Sequence, residues 1–146
     1  LGWDEVVAAN PDVTVVAEAE GQYLGPDVAL AAMQDVLQST ENVNVVTGPD
    51  QAMVGAQLAI EDAGVSGIKI IGFGGSEVAI AAISSGAWFG DVFGAPFTEG
   101  QLAMNAMIAA LRDGTVTGGV NPLLDFPNGG LVNASNVADF TPQWAG

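Results

Sequence analysis

The residues best placed to do chemistry lie in one short stretch, Gly72-Phe73-Gly74-Gly75-Ser76, which follows the apolar run IKII and leads into EVAIAAISSG (77–86). Glycines that end a strand at the mouth of a helix let a backbone approach a ligand closely, and the first turn of that helix carries N–H groups without intrahelical partners. Such a turn suits a phosphate, a dinucleotide or a small neutral molecule. The dinucleotide pattern G-x-G-x-x-G/A finds Gly72 and Gly74 here but Glu77 at its last position, where an acid repels a pyrophosphate. No Lys follows the glycines, which removes a P-loop. A tight strand-to-helix turn that touches no ligand remains the alternative reading of Gly74 and Gly75. Ser76 is placed to cap the following helix.

Other chemistry is narrowly bounded. The chain has no His and no Cys, which excludes ordinary zinc sites and Cys or His nucleophiles within it. Glu18 and Glu20 form the one close carboxylate pair near a strand end, and a solvated strand exit is the simpler account of them. The reading is therefore a binding module and not an enzyme, with no cofactor and no metal. The net charge is −15, with Lys69 and Arg112 the only cations. Nucleic acid and anionic membrane surfaces both need clustered Lys and Arg, so no nucleic-acid partner is expected. The 146 residues, 49% of them hydrophobic, suit one domain with a real core. No apolar run approaches the roughly 20 residues of a membrane span. The N-terminal LGWDEVVAAN has neither a basic start nor an apolar stretch, and it lacks an initiator Met, so a trimmed fragment is expected.

The elements that position these residues alternate between strand-like and helix-like patterns, as βα units of a parallel sheet do. VTVVAEA (13–19) reads as a strand. PDVALAAMQDVLQS (26–39) places Val28, Ala32, Met33, Val36 and Leu37 on one helical face behind Pro26. VNVVTG (43–48) is the second strand, with Asp50 at the N-cap of a helix that stops on Gly64. IKIIGFG (68–74) is the third strand, and the helix after it stops at Gly86. AWFGDVFGA (87–95) is the fourth. Thr98 and Gln101 have capping-box spacing, with Phe97 and Leu102 as a hydrophobic staple, for a helix running to Asp113. The Gly- and Pro-rich remainder reads as irregular chain with one or two short strands.

Taken in order, GWDEVVAANPDVTVVAE, ALAAMQDVLQST, VNVVTGPDQAMVGAQLAIEDAG, IKIIGFGGSEVAIAAISSG and LVNASNVADF resemble the C-terminal half of a type I periplasmic sugar-binding protein, the solute-binding component of ABC importers. The resemblance implies an α/β fold: an αβα sandwich with a parallel sheet, a flavodoxin-like lobe that lacks its N-terminal companion lobe and one central strand. It places residues 1–93 in the C-terminal lobe, 94–120 in a crossover and a helix returning to the N-terminal lobe, and 121–146 in a hinge return and tail. The opening helix GWDEVVAAN, with no strand before it, fits a chain that begins inside a domain and is expected to fold stably only with a companion fragment of the same protein, a domain-swapped partner or a rearranged sheet.

Carried over residue by residue, the family's pocket falls on Tyr23, on Asp50 after Pro49 (where the family has Asn-Asp), on Gly74 within Gly-Phe-Gly-Gly (where it has Gly-Phe-Asp-Gly), and on Gly94 (where it has Gln). Pro49, Gly74 and Gly94 thus replace three polar contacts, and each sugar hydroxyl buried without a partner costs about 1–3 kcal/mol. Either backbone groups and Ser76 take over, or the ligand is less polar or larger than a hexose. Phe89, Phe93, Phe97 and Trp88 gather near the crossover, and Phe93 completes the candidate ligand-binding set. The implied function is capture of a small neutral solute, sugar or polyol first, between two lobes, with an ABC membrane permease as partner. The implied location is periplasmic or extracellular, with an upstream lipid anchor as one option. The alternative is the effector-sensing domain of a LacI-type transcription regulator, which shares the fold.

Overall fold

The computed structural model describes residues 2–19, 25–116 and 118–146. Five helices and four strands follow one another as α1 (Gly2–Ala9), α2 (Pro26–Ser39), β1 (Val45–Pro49), α3 (Asp50–Asp62), β2 (Lys69–Phe73), α4 (Glu77–Ser85), β3 (Gly90–Val92), α5 (Pro96–Asp113) and β4 (Leu131–Asn133). The sheet order is β1-β2-β3-β4. The first three strands are parallel, joined by α3 and α4, and β4 adds antiparallel to β3. The result is an α/β domain with a mostly parallel sheet, as the alternating pattern implies.

Side chains of successive strand residues alternate between faces, so the ladder register sorts them. Gly48, Gly72, Asp91 and Val132 are neighbours in one row across the sheet, and Pro49, Phe73, Val92 and Leu131 in the next. Ile70 and Val132, with the faces of α3 and α4, build the core together with Met33, Met53, Ala79, Ile83, Trp88, Phe93 and Phe140. Phe73, Val92 and Leu131, on the other face, are exposed. Helix α5 buries no residue, and Phe97, Met104, Met107 and Leu111 along it are exposed, as are Trp3 and Val6 on α1.

Several local expectations hold and several do not. Helix α4 stops on Gly86 and α5 on Gly114, both in the left-handed region that glycine tolerates. Ser76 caps α4, its Oγ accepting from the Ala79 N–H at 3.1 Å. The expected strand at 13–19 is not one: the segment makes no ladder hydrogen bonds. Its β-branched residues line a cavity of about 480 Å³ shared with Val46 on edge strand β1 and with Ala29, Met33 and Met53 on α2 and α3. A strand exists only where a neighbour accepts and donates to its backbone, and here the adjoining space is empty. Asp50 does not cap α3. Pro49 holds the N-cap position without a side-chain bond, and Asp50 is the first helical residue. The Thr98–Gln101 capping box is not formed either, because α5 starts two residues earlier, at Pro96, whose fixed φ suits a first helical position.

Helices α2 and α3 approach each other through Gly55. A Cβ there would collide with the Pro26 carbonyl oxygen and lie 2.8 Å from the Leu30 nitrogen. Both are backbone atoms and cannot swing aside. Gly55→Ala is therefore expected to destabilise the fold by about 2 kcal/mol or more despite alanine's better helix propensity, measured as a lowered midpoint in urea.

Candidate functional site

In an open α/β sheet, ligands bind in the crevice beyond the carboxyl ends of the strands. Here that edge carries the β1–α3, β2–α4 and β3–α5 junctions. Two acids meet beneath it. Asp50, opening α3, and Asp91, within β3, are 1% and 2% exposed. They converge over Gly72, where a Cβ would sit 2.6 Å from Asp50 Oδ1, 2.7 Å from the Trp88 ring and against Asp91 Oδ2. Only glycine at position 72 leaves room for the pair.

Each carboxyl is half satisfied by the backbone. Asp50 Oδ2 accepts from the Ser76 N–H at 2.9 Å, and Asp91 Oδ1 accepts from the Gly75 N–H at 3.0 Å. The other two oxygens, Asp50 Oδ1 and Asp91 Oδ2, are buried without a donor among the protein's groups. Two bare anionic oxygens facing each other away from water are strongly unfavourable, and one shared proton resolves both. Burial, then the hydrogen bond to Asp50, then the Asp50 charge push the Asp91 carboxyl up to about 8, against the opposing pull of the Gly75 and Gly74 N–H groups. At neutral pH Asp91 is therefore the donor to Asp50. The pair is sealed from solvent, so its work is to tie β3, α3 and the start of α4 together.

This arrangement engages most of the turn before α4. The N–H groups of Gly75 and Ser76 go to the two acids, that of Glu77 to the Trp144 carbonyl oxygen at 3.0 Å, and that of Ala79 to Ser76 Oγ. The expectation that the first turn of α4 offers free N–H groups is corrected for Glu77 and Ala79, whose N–H groups are engaged internally.

The glycines of the rim serve the same packing. Gly74, with φ near +148°, donates to the Val92 carbonyl oxygen at 2.9 Å. A Cβ on Gly74 would lie 2.7 Å from Asp50 Oδ2 and 2.9 Å from Trp144. One on Gly75 would lie 2.6 Å from the Phe93 ring, and one on Gly94 would press on the Gly74 carbonyl oxygen. The spaces their missing side chains would fill are occupied by the chain itself, which favours the tight-turn reading of Gly74 and Gly75.

The sequence-derived candidates are thus brought together in part. Asp50, Gly74, Ser76 and Gly94 gather at one junction, Ser76 with no exposure and its hydroxyl committed to the cap. Phe93 joins them, but its ring is 1% exposed and packs against Phe126 and Phe140 at centroid distances of 4.9 and 5.1 Å. Tyr23 lies outside the described residues. The aromatic cluster near the crossover disperses: Trp88 is buried and donates to Gln57 Oε1 at 2.7 Å, Phe89 is exposed under the Lys69 ammonium, and Phe97 is exposed. Among the described residues no group of three or more acids, His or Cys can hold a metal. Asp91 and Trp144 escaped the sequence reading. Asp91 signalled itself as a lone acid between apolar strand residues, but its partner follows only from the register that sets it beside Gly72. Trp144 sits in an irregular tail whose path no periodicity predicts.

The family model of the periplasmic binding protein domain matches residues 1–115. The chain belongs to the periplasmic binding protein family. No protein of curated function matches the sequence significantly. Solved structures of this family superpose well on the domain. An ABC transporter periplasmic solute-binding protein from Actinobacillus succinogenes with bound D-allose gives a TM-score of 0.79 at 18% identity, over 95% of this chain and 47% of its own. The Caulobacter myo-inositol binding protein bound to myo-inositol gives 0.76 at 22% identity, over 96% and 47%. The binding-protein component of the arabinose ABC transporter from a Shewanella species gives 0.79 at 22% identity, over 94% and 45%. The periplasmic binding protein domain described here therefore spans about half the length of these relatives. Its fold is a non-enzymatic binding fold of type I. No helix among its described residues is long and apolar enough to cross a membrane.

The acid pair makes a pH-dependent contribution to stability of known sign. Asp91 is raised in the folded state, so the native protein holds a proton that the unfolded chain releases above its ordinary value of 3.8. The contribution is fully present below that value and is lost as pH rises through about 8. From pH 5 upward the thermal midpoint is expected to fall and to level off once the pH has passed through about 8. Asp91→Asn supplies a permanent donor to Asp50 while keeping an acceptor for Gly75. It is expected to flatten that slope and to melt higher than the parent at pH 8.

Proposed function

We propose that the protein is the solute-binding component of an ABC-type importer and captures a small neutral solute, of the sugar or polyol class, in the crevice beyond its strand ends. The carrying observation is the electrostatic state of the rim. At the β2–α4 turn the N–H groups of Gly75, Ser76, Glu77 and Ala79 are taken by Asp91, Asp50, the tail and Ser76. The chain's two cations stand elsewhere, Lys69 at the start of β2 and Arg112 in the last turn of α5. An anionic solute gains nothing there. The relatives' bound D-allose, myo-inositol and arabinofuranose support the same class.

The reading includes a second lobe. An additional strand lying between residues 13–19 and β1 would fill the apolar cavity and give both segments backbone partners. We assign it, and the cover for the exposed faces of α1 and α5, to the part of the protein outside these residues. Residues 1–93 then form one lobe, 94–120 a crossover and the helix that packs on the other lobe, and 121–146 the returning strand and tail. Solute bridging the lobes favours the closed form in proportion to its differential affinity for it, and the closed form docks on a membrane permease. A periplasmic or extracellular location, free or lipid-anchored, goes with that role. Backbone groups near Gly74 and Gly94, together with Tyr23, remain the proposed solute contacts from the original set, with Asp50, Ser76 and Phe93 supporting the rim from beneath.

Thermal unfolding of the intact protein with a panel of neutral monosaccharides and inositols tests this. A solute at 100 times its Kd stabilises the native state by about 2.7 kcal/mol, a clear rise in Tm. The expected result is such a rise with at least one neutral member. A rise only with charged amino acids or phosphates would contradict the reading.

A further inference from the structure

The last residues of the chain run across the strand-end crevice and are pinned at successive points. Gln143 Oε1 accepts from the Thr98 N–H at 3.0 Å, and its Nε2 donates to Thr98 Oγ1 at 2.8 Å. An amide from the tail thus does the work of the cap that α5 lacks. Trp144 follows, its Nε1 donating to the Gly74 carbonyl oxygen at 2.6 Å while its own carbonyl oxygen accepts from Glu77. Gly146 then lies against Ser76, where an added Cβ would be 3.3 Å from the serine Cβ. The tail therefore joins the start of α5, the β2–α4 turn and the first turn of α4.

The indole occupies a particular place. A Cβ at position 74, the first residue beyond β2, would begin 2.7 Å from Asp50 Oδ2 beneath it and 2.9 Å from the Trp144 Cζ2 atom. The polar side chain that the resemblance expects at this position is missing, and an aromatic ring from 70 residues away fills its space. The ring is half-buried and its only polar atom is satisfied. What it has left to offer a visitor is a flat apolar surface, in a rim whose nearby N–H donors are engaged. Sugars and inositols present C–H faces that stack on such a surface, and binding pockets are commonly lined this way.

We propose that Trp144 is a solute-contacting residue of the binding crevice, replacing the absent side chain at position 74 with an aromatic wall that selects ring-shaped neutral solutes by stacking. The proposal rests on the importer reading above.

The test uses the intact protein with myo-inositol, D-allose and L-arabinose as probes, and reads affinity by calorimetry together with quenching of tryptophan emission by acrylamide. The contribution of Trp144 is the difference between the parent and Trp144→Phe. For a solute that the parent binds, Trp144→Leu is expected to lose about tenfold or more in affinity, and Trp144→Phe to stay within about fivefold. Saturating solute is expected to shield the Trp144 emission from acrylamide, a readout that needs no leucine variant to fold. Unchanged affinity in Trp144→Leu, or binding by the parent with no shielding of Trp144, overturns the proposal and leaves the importer reading standing. A parent that binds only charged solutes overturns both.

Discussion

One proton shared between two buried carboxyls organises the edge of this sheet. Asp91 reaches from β3 and Asp50 from the start of α3, and they meet only because Gly72 lies between them without a side chain. Each acid spends its second oxygen on an N–H of the β2–α4 junction. Three segments are thereby held by a pair that shares one proton. Had both acids been ionised, the repulsion in a low-dielectric interior would drive the strand ends apart. Had both been neutral, the junction would keep no charge-assisted hydrogen bond.

Charge on the rest of the surface follows a different logic. A net charge of −15 with two cations keeps anions at a distance and leaves no positive patch to recruit them. Many open α/β proteins recruit an anion at a helix N-terminus, and here the turn before α4 gives two of its N–H groups to acids of the same chain. That is the feature on which the proposed preference for neutral solutes rests. Exposed apolar residues gather on the sheet face of Phe73, Val92 and Leu131, on α1, and along α5. On the two-lobe reading proposed above, these surfaces fit contacts with a second lobe.

Much of the architecture was legible because local patterns and tertiary demands agree. Strands β2 and β3 fall inside the runs 68–74 and 87–95, β1 starts within 43–48 and runs one residue past it to Pro49, and the glycines at 86 and 114 stop their helices as their freedom at positive φ dictates. What failed depends on partners distant in sequence. VTVVAEA has strand composition, but a strand is a property of two chains side by side. The Thr98–Gln101 spacing satisfies a capping rule, yet Pro96 starts the helix sooner and Gln143 supplies the cap from 45 residues away. Asp50 had the look of a cap for its own helix and instead bonds a backbone N–H 26 residues further on. Gly74 and Gly75 were marked as glycines that let the backbone approach a ligand, but what approaches them is this chain's own Asp50, Trp144, Phe93 and Gly94. Sequence reports the need for a glycine and not the identity of the neighbour.

The state of the shared proton is directly observable. In protein labelled with ¹³C at the aspartate carboxyl carbons, the Asp91 resonance should have the shift of a protonated acid at pH 6 and titrate near 8, well apart from the exposed carboxylates. Asp50 and Asp91 carbons both ionised at pH 6 would mean that no proton is shared and that the edge of the sheet is held in some other way.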